Sequence, residues 1–307
     1  MKASLRSSST RLGLCCQFSA QPIKFRTTTA TALSRQPRRQ QLERLAELAA
    51  ANAQSLLAAL EFCAGHGIGS FRICSPILPV KTHPVVGYRI EELPGAGALV
   101  EQFRRCGDYA RAHGIRTGFH PDQFVVLNSP DTGIVQRTVA DLESQAEIAE
   151  WVNADTINIH GGGGYGAKAA ALERFRRSLA LLSPRARSRL TVENDDKTFT
   201  PSDLLPVCRA EGIPLVYDVH HHRCLPCSLS VAEATLEASA TWNREPLFHL
   251  SSPLAGWAGP KPQRHHDYIA PTDFPAEWRG RALTVEVEAK AKELAVERLR
   301  KHLEDRG

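Results

Sequence analysis

TINIHGGGGYG, residues 156–166, decides the fold: a short β-branched run ends on His160 and halts at four glycines. The same plan recurs along the chain. LTVE ends on Glu193, LVYD on Asp218, LFH on His249, RTGFH on His120 and TVEVE on Glu288. With two earlier runs, these predict eight strands: Leu12–Phe18, Ser70–Cys74, Arg116–His120, Thr156–His160, Leu190–Glu193, Leu215–Asp218, Leu247–His249 and Thr284–Glu288. Helical patterns fill the gaps. Gln41–Gly65 spaces Leu42, Leu45, Leu48, Leu56, Leu57 and Leu60 at three- and four-residue intervals, and Gly65 and Gly67 stop it. Further helices are predicted over Ala96–His113, Ile134–Trp151, Ala167–Leu182, Ser202–Glu211, Val231–Trp242 and Ala289–Leu303. Strand and helix alternate, and the strands read as nearly all apolar, so a parallel sheet covered by helices is expected. The count fits an α/β closed TIM (β/α)8 barrel, with the whole chain, 1–307, as one domain: a core of about 11–303 behind a short basic tail, 1–10. Longer loops follow the second strand (76–93) and the seventh (251–273).

At 307 residues and 42% hydrophobic content the chain can bury a large core, and no apolar run is long enough to span a bilayer. The net charge of +5 suits a polyanionic partner without requiring one. Its distribution says more: Lys2, Arg6, Arg11, Lys24, Arg26, Arg35, Arg38 and Arg39 all precede the first acidic residue, Glu43. MKASLRSSSTR superficially matches an organellar transit peptide, but a strand starting near Leu12 leaves a removable presequence no room. Eight cysteines without a secretory signal read as reduced thiols, giving a cytoplasmic protein as the expectation. The lone CxxC of Cys224 and Cys227 reads as structural or incidental, because a closed zinc site needs four ligands.

Six of the eight predicted strands finish on a residue able to bind a metal: His120, His160, Glu193, Asp218, His249 and Glu288. In a TIM barrel the C-terminal strand ends converge on one mouth, so these residues would meet in space. Any one alone reads equally as a hydrogen-bonding group in a loop. As a set they point to metal, since charged side chains aimed into a barrel are costly unless paired or ligated. His221 in DVHHHRC and His265 in RHHDYIAP are two further candidates, each inside a histidine cluster that leaves the choice of residue open. Three carboxylates and up to five imidazoles exceed one ion's coordination, which implies two or three ions. Mixed nitrogen and oxygen donors make Mn2+ the first expectation, with Zn2+ or Mg2+ as alternatives. Such a site suits phosphodiester hydrolysis, one ion lowering the pKa of the attacking water and another stabilising the departing oxygen.

Other features are weaker. Gly161 to Gly164 lack the Lys and Ser/Thr of a P-loop, so close backbone approach explains them better than a phosphate cradle. Gln123 and Phe124, just beyond His120, offer an amide and an aromatic ring that can push into a base stack; a simple cap on the barrel is the bland alternative. Arg72, Lys81 and Arg89, around the loop after the second strand, read as a solvated face or as phosphate contacts.

At these motifs the chain resembles the UV damage endonuclease family from Arg11 to about Leu303. RLGLCCQF, FRICSPILP, GFHPDQFVVLNS, INIHGGGGYG, LTVENDD, YDVHHHRC, FHLSSP, RHHDYI and VEVEAKAKE come in family order with similar spacing. The resemblance implies a TIM-barrel nuclease that incises double-stranded DNA immediately 5′ of UV photoproducts, cyclobutane dimers and 6-4 photoproducts, without ATP. It implies that His120, His160, Glu193, Asp218, His221, His249, His265 and Glu288 are metal ligands, that Glu193 and His83 are catalytic, and that Gln123 and Phe124 probe the lesion. Two positions depart from the pattern. Leu14 stands where some members carry a tyrosine, and Leu247 where some carry a lysine that can be carboxylated near the metals. A monomer is expected. The competing readings are an apurinic endonuclease of the endonuclease IV type and a metal-dependent sugar isomerase of the same fold; the isomerase would show a compact pocket without Gln123 and Phe124 beside its metals. A non-catalytic DNA-binding module would have no use for eight ligand side chains.

Overall fold

The computed structural model describes residues 10–305, so all of the basic tail but Thr10 lies outside the described residues. Among the described residues eight parallel strands pair in sequential order, and the last closes on the first. They are β1 (Arg11–Cys15), β2 (Ser70–Ile73), β3 (Arg116–Phe119), β4 (Thr156–His160), β5 (Leu190–Glu193), β6 (Leu215–Asp218), β7 (Leu247–Leu250) and β8 (Thr284–Val287). The expected TIM barrel is present, with shorter edges. β1 stops at Cys15 rather than Phe18 because Cys16 takes φ +60°, which turns the chain while its N–H donates to the Arg72 carbonyl. His120 and Glu288 each sit one residue past their strands, and His249 one before the end of its own.

The helices are α1 (Ala30–Leu33), α2 (Arg38–Gly65), α3 (Ala96–Ala112), α4 (Thr132–Trp151), α5 (Lys168–Leu179), α6 (Pro184–Arg187), α7 (Pro201–Glu211), α8 (Val219–Cys224), α9 (Val231–Ser239) and α10 (Glu293–Glu304). In α2, Leu45, Leu48, Leu56 and Leu60 of the predicted leucine face are buried together with Ala49, Ala59 and Cys63, while Leu42 and Leu57 are only partly buried against the core. Three helices fall short of the expected bounds by three residues or more: α5 ends at Leu179 rather than Leu182, α9 ends at Ser239 rather than Trp242, and α10 begins only at Glu293 because Lys292 has φ +52°. Buried Glu293 then accepts from the amides of Ser19 and Ala20, at 2.7 and 2.6 Å, and so fixes the loop after β1.

The strands are not nearly all apolar; that reading holds for one face only. Leu14, Phe71, Ile73, Phe119, Ile157, Ile159, Val192, Tyr217, Phe248, Val285 and Val287 share one apolar core, the layer covered by helices. The alternating positions are buried too, yet they carry Ser70, Arg72, Thr156, Asn158, Thr191, Glu193, Asp218, His249, Thr284 and Glu286. A TIM-barrel interior is usually filled by branched apolar side chains. Here a polar network replaces them, and it is workable only because its members bond to one another. Thr191 donates to Asn158 Oδ1 at 3.0 Å, and Asn158 Nδ2 donates to Glu193 at 2.6 Å.

Apolar filling survives at the opposite pole. Val216, Trp242 and Leu247 form a small cluster separate from the main core. The Trp242 indole N–H donates to the Leu215 carbonyl at 2.8 Å, and the guanidinium groups of Arg116 and Arg244 lie 5.3 and 5.2 Å from its ring centre. Leu247 thus belongs to this stopper, below the level of the nominated ligands.

Candidate metal centre at the barrel mouth

Glu193 ends β5 with only 1% of its surface exposed. Its Oε2 lies 2.9 Å from His120 Nε2 and accepts the Asn158 amide, while Oε1 faces His249 Nδ1 at 3.1 Å and His221 Nδ1 at 3.3 Å. Strand ends of β3, β4, β5 and β7, far apart in sequence, thereby meet around one carboxylate.

The turn after β6 explains the choice of histidine in DVHHHRC. Asp218 both ends β6 and caps α8, its side chain accepting from the His221 amide at 2.7 Å. The cap brings His221, three residues on, back over the carboxylates, with Nδ1 3.6 Å from Asp218 Oδ2. Its neighbours face elsewhere. His220 packs against Trp257 and His265, with ring centres 5.1 and 5.2 Å away, and His222 Nδ1 bonds to the Tyr217 hydroxyl at 2.7 Å.

Among the described residues three groups bring potential ligand atoms within 4.8 Å of one another: His120, His249 and Glu288; His120, His160 and Glu193; and Glu193, Asp218 and His221. They share His120 and Glu193 and so form one continuous centre holding seven of the eight nominated ligands. His265 is peripheral. Its Nδ1 is 3.8 Å from Glu288 Oε2, and the Ser251 hydroxyl lies 3.4 Å from both ring nitrogens.

The chemistry of this centre fits divalent cations. His160 Nδ1, Glu193 Oε1, Asp218 Oδ2 and His249 Nδ1 are buried without a hydrogen-bond partner among the described residues. Orphaned buried polar atoms are costly, and four converging lone-pair donors are what a hard or borderline cation would satisfy. The local field agrees. Burial alone would raise Glu193, but the imidazoles of His249 and His160, the bond from His120 and the nearby ring of His221 hold it well below the usual carboxylate range. Burial alone would lower His249, but Glu193 drives it up to about 10. Asp218 and Glu193 likewise carry His221 well above its ordinary value against the effect of its burial. A field that favours protons on these rings equally favours a cation between them.

Two participants differ from the sequence reading. Arg72 is neither solvated nor placed for a phosphate: it is 8% exposed inside the barrel, with Nε 2.6 Å from Glu286 and Nη2 2.6 Å from Glu288 and 3.1 Å from His249 Nε2. Glu286, not among the nominated residues, precedes Glu288 by two positions and so shares its inward face. Lys81 is committed as well, to Glu147 at 2.7 Å, and Thr82 bonds Asp141, so both side chains tie the loop after β2 to α4. Arg89 is exposed.

The remaining candidates lie around the mouth. A cavity of about 890 Å3 is lined by His120, His160 and Glu193 at its floor and by Gln123 and Phe124 at its rim. Phe124 is 77% exposed and therefore does not cap the barrel. His83 lies on the loop after β2 outside the three ligand groups, its Nδ1 accepting from the amides of Val85 and Val86 at 3.2 and 3.4 Å. Gly162, at φ +84°, sits so close to Asn128 that a Cβ would collide with its side-chain oxygen, and Asn128 Nδ2 donates to the Gly163 carbonyl at 2.7 Å. Close approach, as expected, accounts for the glycine run. Cys224 and Cys227 are free thiols outside every metal group, Cys227 Sγ lying 3.3 Å from His222 Nε2.

Residues 10–306 match the family model described as UV-endonuclease UvdE. A UV DNA damage endonuclease of Bacillus cereus (strain G9842) is 31% identical over 286 residues, 89% of this chain and 87% of the relative. One of Bacillus velezensis is 36% identical over 262 residues, 83% and 78% of the two chains. The crystal structure of SacUVDE superposes with a TM-score of 0.85 at 25% identity, covering 96% of this chain and 98% of that one. Endonuclease IV from Thermus thermophilus follows the same fold with a TM-score of 0.62 at 16% identity, over 96% and 99%.

Proposed function

The chain belongs to the UV-endonuclease UvdE family, and from that membership we propose that it is a divalent-metal endonuclease that cuts double-stranded DNA immediately 5′ of UV photoproducts. The observation that carries this reading is the joining of three overlapping ligand groups to one open cavity whose rim presents an exposed phenylalanine. Glu193, His120, His160, Asp218, His221, His249 and Glu288 would hold two or three ions, Mn2+ first among candidates, with His265 completing the set from the loop after β7. Ions bound there would supply the Lewis acidity that phosphodiester hydrolysis requires.

The chain's own residues do the rest. Asn158 fixes the rotamer of Glu193, and Arg72 that of Glu288, so the ligands are preorganised. His83, whose Nδ1 is occupied as an acceptor, carries its proton on Nε2 in the neutral ring and is a donor suited to a phosphate oxygen. Gln123 and Phe124 enter the duplex where damage has already weakened stacking, so distortion is recognised without reading sequence. An open mouth of this kind argues against the sugar isomerase reading, which needs an enclosed pocket for a small substrate.

With Mn2+ the purified protein should nick a duplex containing a single cyclobutane dimer on the 5′ side of the lesion and spare the undamaged duplex. Equal cutting of both would sink lesion specificity. Replacing Gln123 and Phe124 together with alanine should reduce the preference for damaged over undamaged DNA by roughly tenfold or more, since each base–aromatic contact is worth about 1–3 kcal/mol. Metal content, measured by mass spectrometry, should stay at the wild-type level; its loss would assign the pair a structural role instead.

A further inference from the structure

We infer that Tyr165, backed by Arg174, is a stacking platform for a nucleobase that has left the DNA helix; this rests on the DNA reading above and adds a subsite to it. Tyr165 lies in the same cavity as Phe124 and His160, and 49% of its surface is open. Its backbone has φ +44°, a left-handed conformation that disfavours any side chain, although Gly164 and Gly166 flank it and a third glycine would fit without strain. An aromatic ring kept against a backbone cost, at the rim of a functional cavity, needs a use. Its support is rigid. The Arg174 guanidinium lies 5.4 Å from the ring centre, Arg174 Nε donates to the Asn128 carbonyl at 2.9 Å, and Asn128 in turn holds the Gly163 carbonyl. The ring also runs close along the glycine loop, where a Cβ on Gly163 would stand 3.1 Å from it.

The chemistry that matches is a flat, sequence-tolerant π-face. Every nucleobase presents one, and an aromatic side chain held in place stacks on it. A wedge such as Phe124 displaces bases, and a displaced base must be received somewhere. Tyr165 receives it, in the same mouth.

Tyr165→Gly and Tyr165→Phe separate this role from packing. Binding to a dimer-containing duplex with an uncleavable linkage in place of the phosphodiester 5′ of the lesion would be measured by fluorescence anisotropy with Mn2+ present, alongside thermal melting. Tyr165→Gly should bind about 5- to 150-fold more weakly, the equivalent of one lost base stack, with a melting temperature equal to or above wild type because backbone strain is relieved. Tyr165→Phe should match wild type on both counts. Unchanged binding by Tyr165→Gly, a melting temperature several degrees lower, or equal weakness of the Phe variant would each overturn the proposal. Should the wild type bind damaged and undamaged duplex alike, the lesion-specific reading falls, while weaker binding of both by Tyr165→Gly would still uphold the platform.

Discussion

Glu193→Gln is expected to bring incision of damaged DNA to assay background and to lower the number of tightly bound metal ions. The change is nearly isosteric, so its effect is electrical. Glu193 belongs to two of the three ligand groups and touches imidazoles from three other strand ends or their following turns. A glutamine must turn its carbonyl oxygen toward Asn158 to keep that bond, which points its NH2 at His249 and His221. A lone pair aimed at the centre becomes a donor there. Loss of a group one step outside a metal's ligand set typically costs about 10–100-fold, and a ligand common to two groups should cost more. Incision kinetics on a dimer-containing duplex and metal content by mass spectrometry would be read together. Full metal loading with retained cutting would remove Glu193 from the centre.

Arg72→Met should be the most damaging single substitution to stability outside the apolar core. The side chain is replaced at similar length, but Glu286, Glu288 and His249 lose the cation that lies among them. Burial alone would raise Glu286, yet Arg72 and His249 hold its carboxyl down to about 2. Removing one partner of a buried ionic set typically costs about 3–5 kcal/mol, which in a chain of this size lowers the melting temperature by on the order of 10 °C. Adding Glu286→Gln to Arg72→Met should recover part of the loss, because the surviving charge is no longer left unmatched. A melting temperature unchanged by Arg72→Met would mean that water or a cation reaches these carboxylates. The double-variant comparison also isolates Arg72's hold on Glu288, the one carboxylate it shares with the ligand groups.

How far the centre is legible in sequence depends on where each residue stands. His160, Glu193 and Asp218 end their strands, so the end of an apolar run gives their position directly. His120 and Glu288, one residue beyond, follow from the same rule with a tolerance of one. Arg72 misleads because arginine is nearly always exposed, and its partners lie 214 and 216 residues away. The inward polar layer is hidden for a related reason: Asn158 and Thr191 look like ordinary strand polars until the barrel closes around them. The short α8 does leave a signal. Asp218 is a favourable helix cap, and a cap at that position selects His221 among three consecutive histidines. Nothing local foretells that Trp242 leaves α9 to enter the barrel, because that contact depends on strands β6 and β7 already lying side by side.

That tryptophan has a topological consequence. With Val216, Trp242 and Leu247 closing the far pole, the barrel is a dead end, not a tunnel. A DNA strand has no way through it and can only be laid across the mouth and lifted off again. Free ends are therefore irrelevant to entry, and a covalently closed circle is as admissible as a fragment. If the chain cuts DNA as proposed, the nicked product leaves by the side it came from.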